Sequence, residues 1–284
     1  MLPEQEESGV VEGSRFVFVG GLHRSGTTPL ARLLARHPEV AGISGSGVSE
    51  DEGVHLQDVY PPIRAHGGMG RFAHDPRAHL TEDSPLVSDE NAQRLVESWS
   101  PYWDTSRRLL LEKSPGNLVM GRFLQALFPG SALVVVVRHP VVASLALEKW
   151  NPWPVARNGR RHTSLPDLVG HWVRAHELLL EDAPHHRRLL VLRYEDLVAD
   201  PSARLGEVAD HLGLGSPLPA DGIRAGASDR YTETWEAMRT GSPLARRRRR
   251  QVEERWGEAV SRWGYSLEDL TAVGPREALP TAAP

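Results

Sequence analysis

Short apolar runs alternate along this chain with longer segments whose apolar residues recur at helical spacing. Runs rich in Val and Leu, bounded by turn residues, predict buried parallel strands over residues 16–19, 108–111, 132–137 and 189–192. Helical periodicity predicts helices over 27–36, 89–98, 116–128, 141–149, 168–181, 202–212 and 244–263. Boundary residues agree: Ser88 precedes Asp89-Glu90 as an N-cap, and Pro129-Gly130 stops the helix that ends at Phe128. Strands alternating with helices predict an α/β fold of three layers, a central mostly parallel sheet flanked by helices. Two stretches, 41–88 and 151–166, lack periodicity and are rich in Gly, Pro and His. Long loops in a compact domain are more often functional than accidental. Residues 1–13 read as a flexible N-terminal tail, 14–271 as a single domain and 272–284 as a disordered C-terminal tail.

The run at 16–19 ends in a glycine-rich turn, and Thr27-Thr28 then opens a helix. Strand, glycine turn and helix start in that order build an anion-binding cup, because the first amides of a helix have no intrahelical partner. The segment from Gly21 to Thr28 has the spacing of the phosphate loop G-x-x-x-x-G-K-[ST], but Thr27 stands where the lysine belongs. The next core run ends in Arg138-His139-Pro140 rather than in the aspartate that would hold magnesium. Two cationic anion sites and no metal ligand argue against nucleoside triphosphate chemistry.

Composition narrows the classes. The 284 residues carry a net charge of −4, which gives no nucleic-acid footprint. There are no cysteines, so disulfides, thiolate catalysis and cysteine zinc sites are excluded. The histidines show no metal-binding spacing, and no apolar run reaches the ~20 residues of a membrane span. A soluble cytoplasmic protein without nucleic-acid or membrane partners is expected. Lys113 and Lys149 are the only two lysines, so a lysine in a motif-like setting stands out.

Arg24-Ser25-Gly26-Thr27-Thr28 after a strand, and Arg138-His139-Pro140 after a Val run, resemble the sulfotransferases that use 3′-phosphoadenosine 5′-phosphosulfate (PAPS). Further matches are Glu112-Lys113-Ser114-Pro115, Arg193-Tyr194-Glu195-Asp196-Leu197 and Trp263-Gly264-Tyr265. The pattern is most similar to tyrosylprotein-type and bacterial members. The resemblance implies a P-loop-like sulfotransferase fold. It also implies a donor, PAPS, whose product is adenosine 3′,5′-bisphosphate (PAP), and no metal. Arg24, Ser25, Gly26, Thr27 and Thr28 would cradle the 5′-phosphosulfate, Arg138 would bind the 3′-phosphate, and Tyr194 would line the adenine pocket. The family's usual 3′-phosphate serine falls here on Ala146; Ser144 lies two residues earlier, and Arg246 roughly matches a basic contact of the family.

Sulfuryl transfer needs a base for the acceptor proton and cations for the developing charge. The resemblance places the base in the segment 47–57, where Glu52 is the first choice, Glu50 the second and His55 a third. Lys113 and Arg24 are the expected electrostatic stabilisers. Trp150 and Trp153, beside prolines, are the expected grips on a small-molecule hydroxyl acceptor. A P-loop kinase with an altered loop, and a nucleotide-binding module without transfer activity, are the alternative readings.

Overall fold

A computed structural model describes residues 12–150, 164–223 and 225–282. Strands β1 (Phe16–Gly20), β2 (Val40–Gly42), β3 (Leu109–Lys113), β4 (Ala132–Val137) and β5 (Leu189–Arg193) form one parallel sheet in the order β2-β3-β1-β4-β5. The α-helices are α1 (Thr27–Leu34), α2 (Asp89–Trp99), α3 (Gly121–Leu127), α4 (Pro140–Trp150), α5 (Leu165–Asp182), α6 (Tyr194–Ala199), α7 (Pro201–Leu212), α8 (Asp229–Thr240) and α9 (Pro243–Ser261).

Period-two alternation divides the strand side chains between two cores. Phe16, Phe18, Leu110, Val135 and Val137 face one way, against Trp99, Phe123 and Trp172. Val17, Val19, Leu111, Val134 and Val136 face the other, against Leu30 and Leu33 of α1 and Val208 of α7. Both faces being covered explains why the strands read as continuous apolar runs. The register sets Val19 beside Lys113, Gly20 beside Val135, and Val137 beside Arg193. The chemistry-bearing ends of β1, β3, β4 and β5 therefore share one edge, the carboxyl edge at which open α/β sheets bind ligands.

Three expectations are corrected. The helix expected over 116–128 is a 3₁₀ turn, Pro115–Val119, followed by α3. Asn117 Nδ2 donates to Val19 O at 3.2 Å and to Glu112 Oε2 at 2.6 Å, which ties the turn to the strands. β2, α6 and α8 were not expected. Residues 272–282 are not a loose tail: Gly274 N donates to Gly264 O at 2.7 Å, and Val273 bridges to Tyr265. The buried Arg193 donates Nη1 to Gly274 O at 2.7 Å and Nη2 to Pro275 O at 3.2 Å. Most of the tail expected over 1–13 lies outside the described residues. Among the described residues no helix is long and apolar enough to cross a membrane.

Several buried histidines are held neutral. His139 accepts from Val141 N at Nδ1 and faces Ser266 O with Nε2 at 3.0 Å, so its neutral tautomer carries hydrogen on Nε2. Burial brings His139 and His176 down to about 4. A folded-state value below the unfolded one means that acid is taken up on unfolding, so stability falls as the pH drops from about 6.5 towards 4. Glu112 and Glu195, pushed up by burial, act with the opposite sign. Because lowered histidines outnumber raised carboxylates among the described residues, the melting temperature is expected to fall by about 5 °C or more between pH 7 and pH 5. A melting temperature that holds or rises over that interval in a calorimetric scan would assign control to the two glutamates.

Candidate active site

The loop between β1 and α1 is shaped by its glycines. Gly21 has φ +144°, and a Cβ there would sit 2.5 Å from Val136 O. Gly26 has φ +104°, and a Cβ there would sit 2.7 Å from Tyr194 Cδ2. The Tyr194 ring thus lies directly on the loop, where only glycine leaves room. Ser25 is fully buried, and its Oγ has no hydrogen-bond partner. A buried unpartnered hydroxyl beside the open amides of a helix start fits an anion, which supplies the missing acceptor. The residues present therefore suit a bound phosphate or phosphosulfate.

Arg138 leaves the end of β4 and turns back over this loop. Its Nη1 donates to Arg24 O at 2.8 Å, and its Nη2 to Ser228 Oγ at 2.8 Å. Its guanidinium lies 4.3 Å from the centre of the Tyr194 ring, and its buried Nε has no partner. Burial lowers the Arg138 pKa from its ordinary value. The three motif segments behind it are bolted together through one carboxylate. Glu195 accepts from His139 N at 3.0 Å and from Tyr265 OH at 2.9 Å.

The end of β3 carries the third group. Lys113 Nζ donates to Glu52 Oε1 at 2.9 Å, and His55 Nε2 lies 3.6 Å from Glu52 Oε2. Lys113 is buried. The backbone around Glu52 is fixed from both sides. Gly53 N donates to Glu112 Oε1 at 2.9 Å, and Gly53 O accepts from Trp99 Nε1 at 3.0 Å. Val54 N donates to Ser114 Oγ at 3.1 Å. Glu112 itself is completely buried, and that burial pushes its carboxyl up.

A cavity of about 940 Å³ joins these parts. Arg24, Gly26, Thr27, Thr28, Arg138 and Tyr194 line it together with Glu52, Glu50 and His55. Glu50 is drawn towards α1, where Arg32 meets it at 3.1 Å with both side chains exposed. Of the two acids, Glu52 is the one that meets Lys113.

Other residues singled out in the sequence lie elsewhere. Ser144 is buried and does not line the cavity, although Leu147 and Glu148, one helical turn further along α4, do. Arg246 donates to Gly241 O at 2.8 Å and lines a second groove with Arg239, Arg249 and Arg250. Trp153 and the side chain of Trp150 lie outside the described residues. Among the described residues no group of three or more His, Cys, Asp or Glu side chains could hold a metal ion.

Sequence reasoning missed His23. Its side chain lines the cavity, and its Nδ1 is sealed without a partner. Burial, then the positive neighbours Lys113, His55 and Arg24, brings it down to about 4, so the ring is neutral at physiological pH. The signal was available as a histidine inside the phosphate loop, beside the arginine that drew attention.

A sequence model described as "Sulfotransferase family" matches residues 17–217. The omega-hydroxy-beta-dihydromenaquinone-9 sulfotransferase Stf3 of Mycobacterium bovis is 27% identical over 299 residues, covering 88% of this chain and 75% of that protein. Protein-tyrosine sulfotransferase 2 of Gallus gallus is 26% identical over 230 residues, covering 75% of this chain and 58% of that protein. Among solved structures, the sulfotransferase domain from the curacin biosynthetic pathway aligns with a TM-score of 0.46 at 18% identity, covering 81% of each chain.

Proposed function

Because the chain belongs to the sulfotransferase family, we propose that it transfers a sulfuryl group from PAPS to a hydroxyl of a small-molecule acceptor. One observation carries this reading: the phosphate loop, Arg138 and Glu52 line a single cavity, with the buried Lys113 held directly behind Glu52. PAPS supplies the sulfuryl group and two separated phosphates. The loop amides, Ser25, Thr27 and Thr28 hold its 5′ end, Arg138 the 3′-phosphate, and Tyr194 the adenine side.

Glu52 acts as the base. It takes the proton of the acceptor hydroxyl, whose oxygen forms the new bond to sulfur as the bond to the bridging phosphate oxygen breaks. Lys113 stabilises the charge that develops on the sulfuryl and bridging oxygens. The two roles are coupled through their 2.9 Å contact. Protonating Glu52 removes the negative charge that holds Lys113, so the ammonium turns to the reacting centre as charge appears there. Arg24 supports the same charge from the loop.

The test is isothermal titration with PAP. The folded protein is expected to bind one equivalent, with no effect of a chelator. The Arg138→Ala variant is expected to bind about 10–100-fold more weakly, as loss of a charge-assisted phosphate contact implies. Folded protein that does not bind PAP, or binds it only with a divalent metal, rules the proposal out.

A further inference from the structure

We propose, resting on the transfer reading above, that the acceptor is anionic, its acid group held by Arg64 and Arg71. The charges around the cavity pair off in an informative way. Each acid that lines it has its own cation: Glu50 meets Arg32 at 3.1 Å, Glu52 meets Lys113 at 2.9 Å, and Glu148 meets Arg248 at 2.6 Å. Arg24 and Arg138 face the donor end. Arg64 and Arg71 also line the cavity, both exposed, and neither has an ion pair or a side-chain hydrogen bond among the described residues.

Local structure keeps these two arginines uncommitted. Gly67 and Gly68, with φ of +98° and +85°, reverse the chain between them. Gly68 N donates to Ile63 O at 3.0 Å, and Arg71 N donates to Gly68 O at 3.0 Å. Both arginines therefore flank one tight turn. The nearby acid, Asp75, is already engaged by His66 at 3.0 Å and by Arg77 at 2.8 Å. Those hydrogen bonds, led by that of Arg77, hold its carboxyl well below the ordinary range.

Beside these cations the wall is apolar, made by Val54, Ile63, Met69, Leu147 and Leu168. Ile63 packs on the β3 side, where a Cβ at Gly116 would lie 3.2 Å from its Cγ2. A hydroxyl compound with an apolar body and a carboxylate or phosphate matches this lining. Its hydroxyl would reach Glu52, its body the apolar wall, and its anion the two guanidinium forks, which suit planar oxyanions.

The test compares two matched phenols, hydroxyphenylpropionate and its primary amide, binding to the protein saturated with PAP. The carboxylate is expected to bind roughly tenfold tighter than the amide. Raising the salt to about 0.5 M is expected to shrink the ratio, because exposed charges are screened. In the double variant Arg64→Ala, Arg71→Ala the ratio is expected to fall to about one, with PAP affinity as the check on folding. Transfer from PAPS should show the same ratio in kcat/KM. Binding of neither phenol, equal binding of both, or a preference that survives the double substitution each overturns the proposal. If PAP fails to bind, the transfer reading falls separately, and the ratio measured without PAP still decides the anion anchor.

Discussion

Replacing Glu52 by glutamine is expected to lower kcat by roughly 10²–10⁴-fold while leaving the affinity for PAP close to that of the unaltered protein. Glutamine keeps the shape of the side chain and an oxygen that can accept from Lys113, but it cannot take a proton. Its neighbours constrain the outcome. The peptide that follows Glu52 is gripped by Glu112 and Trp99, so the exchange should not move the backbone. Steady-state transfer of labelled sulfuryl group to a phenol, alongside PAP titration, measures both quantities. A kcat within about threefold of the unaltered protein would remove Glu52 from the base role. His55, whose Nε2 lies 3.6 Å from the Glu52 carboxylate, is then the next group to test, ahead of Glu50 on its exposed pair with Arg32.

The sequence made the donor half of the site legible because its chemistry is local. Strand, glycine turn and helix start are contiguous, so the residues from Gly21 to Thr28 announce an anion cup without tertiary information. Arg138 is legible for the same reason, as a cation at the end of an apolar strand. The acceptor half is different. Lys113 and Glu52 meet across 61 residues, and the segment that carries Glu52 is a chain of 3₁₀ turns without periodicity. Only the tertiary contact separates Glu52 from Glu50. Helix α8 escaped notice because its apolar residues, Tyr231, Trp235 and Met238, are isolated in a polar stretch, although their spacing is helical. Strand β2, at three residues, is too short to show alternation. The segment from residue 272 reads as a tail in the sequence because its order comes from a distant residue, Arg193, which donates to its carbonyls.

Replacing Lys113 by alanine is expected to cost roughly 10²–10³-fold in kcat, the range for removing one preorganised charge stabiliser. Three consequences separate this role from a structural one. The first is stability: Lys113 and Glu52 are both buried, and removing one partner strands the other, so a loss of about 3 kcal/mol is expected in denaturant unfolding. The double change Lys113→Ala, Glu52→Gln should recover part of that loss, because no charge is left unpaired. The second is coupling. If the two groups act as a unit, the double variant should be little slower than the worse single variant. A full multiplication of the two losses would show that they act independently. The third is His23, which Lys113 helps to hold down near 4. Without the ammonium, the imidazole should titrate at a higher pH, visible as a shifted midpoint in a histidine NMR titration. An unchanged midpoint together with unchanged kcat would mean that Lys113 only braces the end of its strand. Arginine should not rescue the turnover. Its planar fork is bulkier than an ammonium and requires a different geometry at a position sealed by Glu52 and the end of β3.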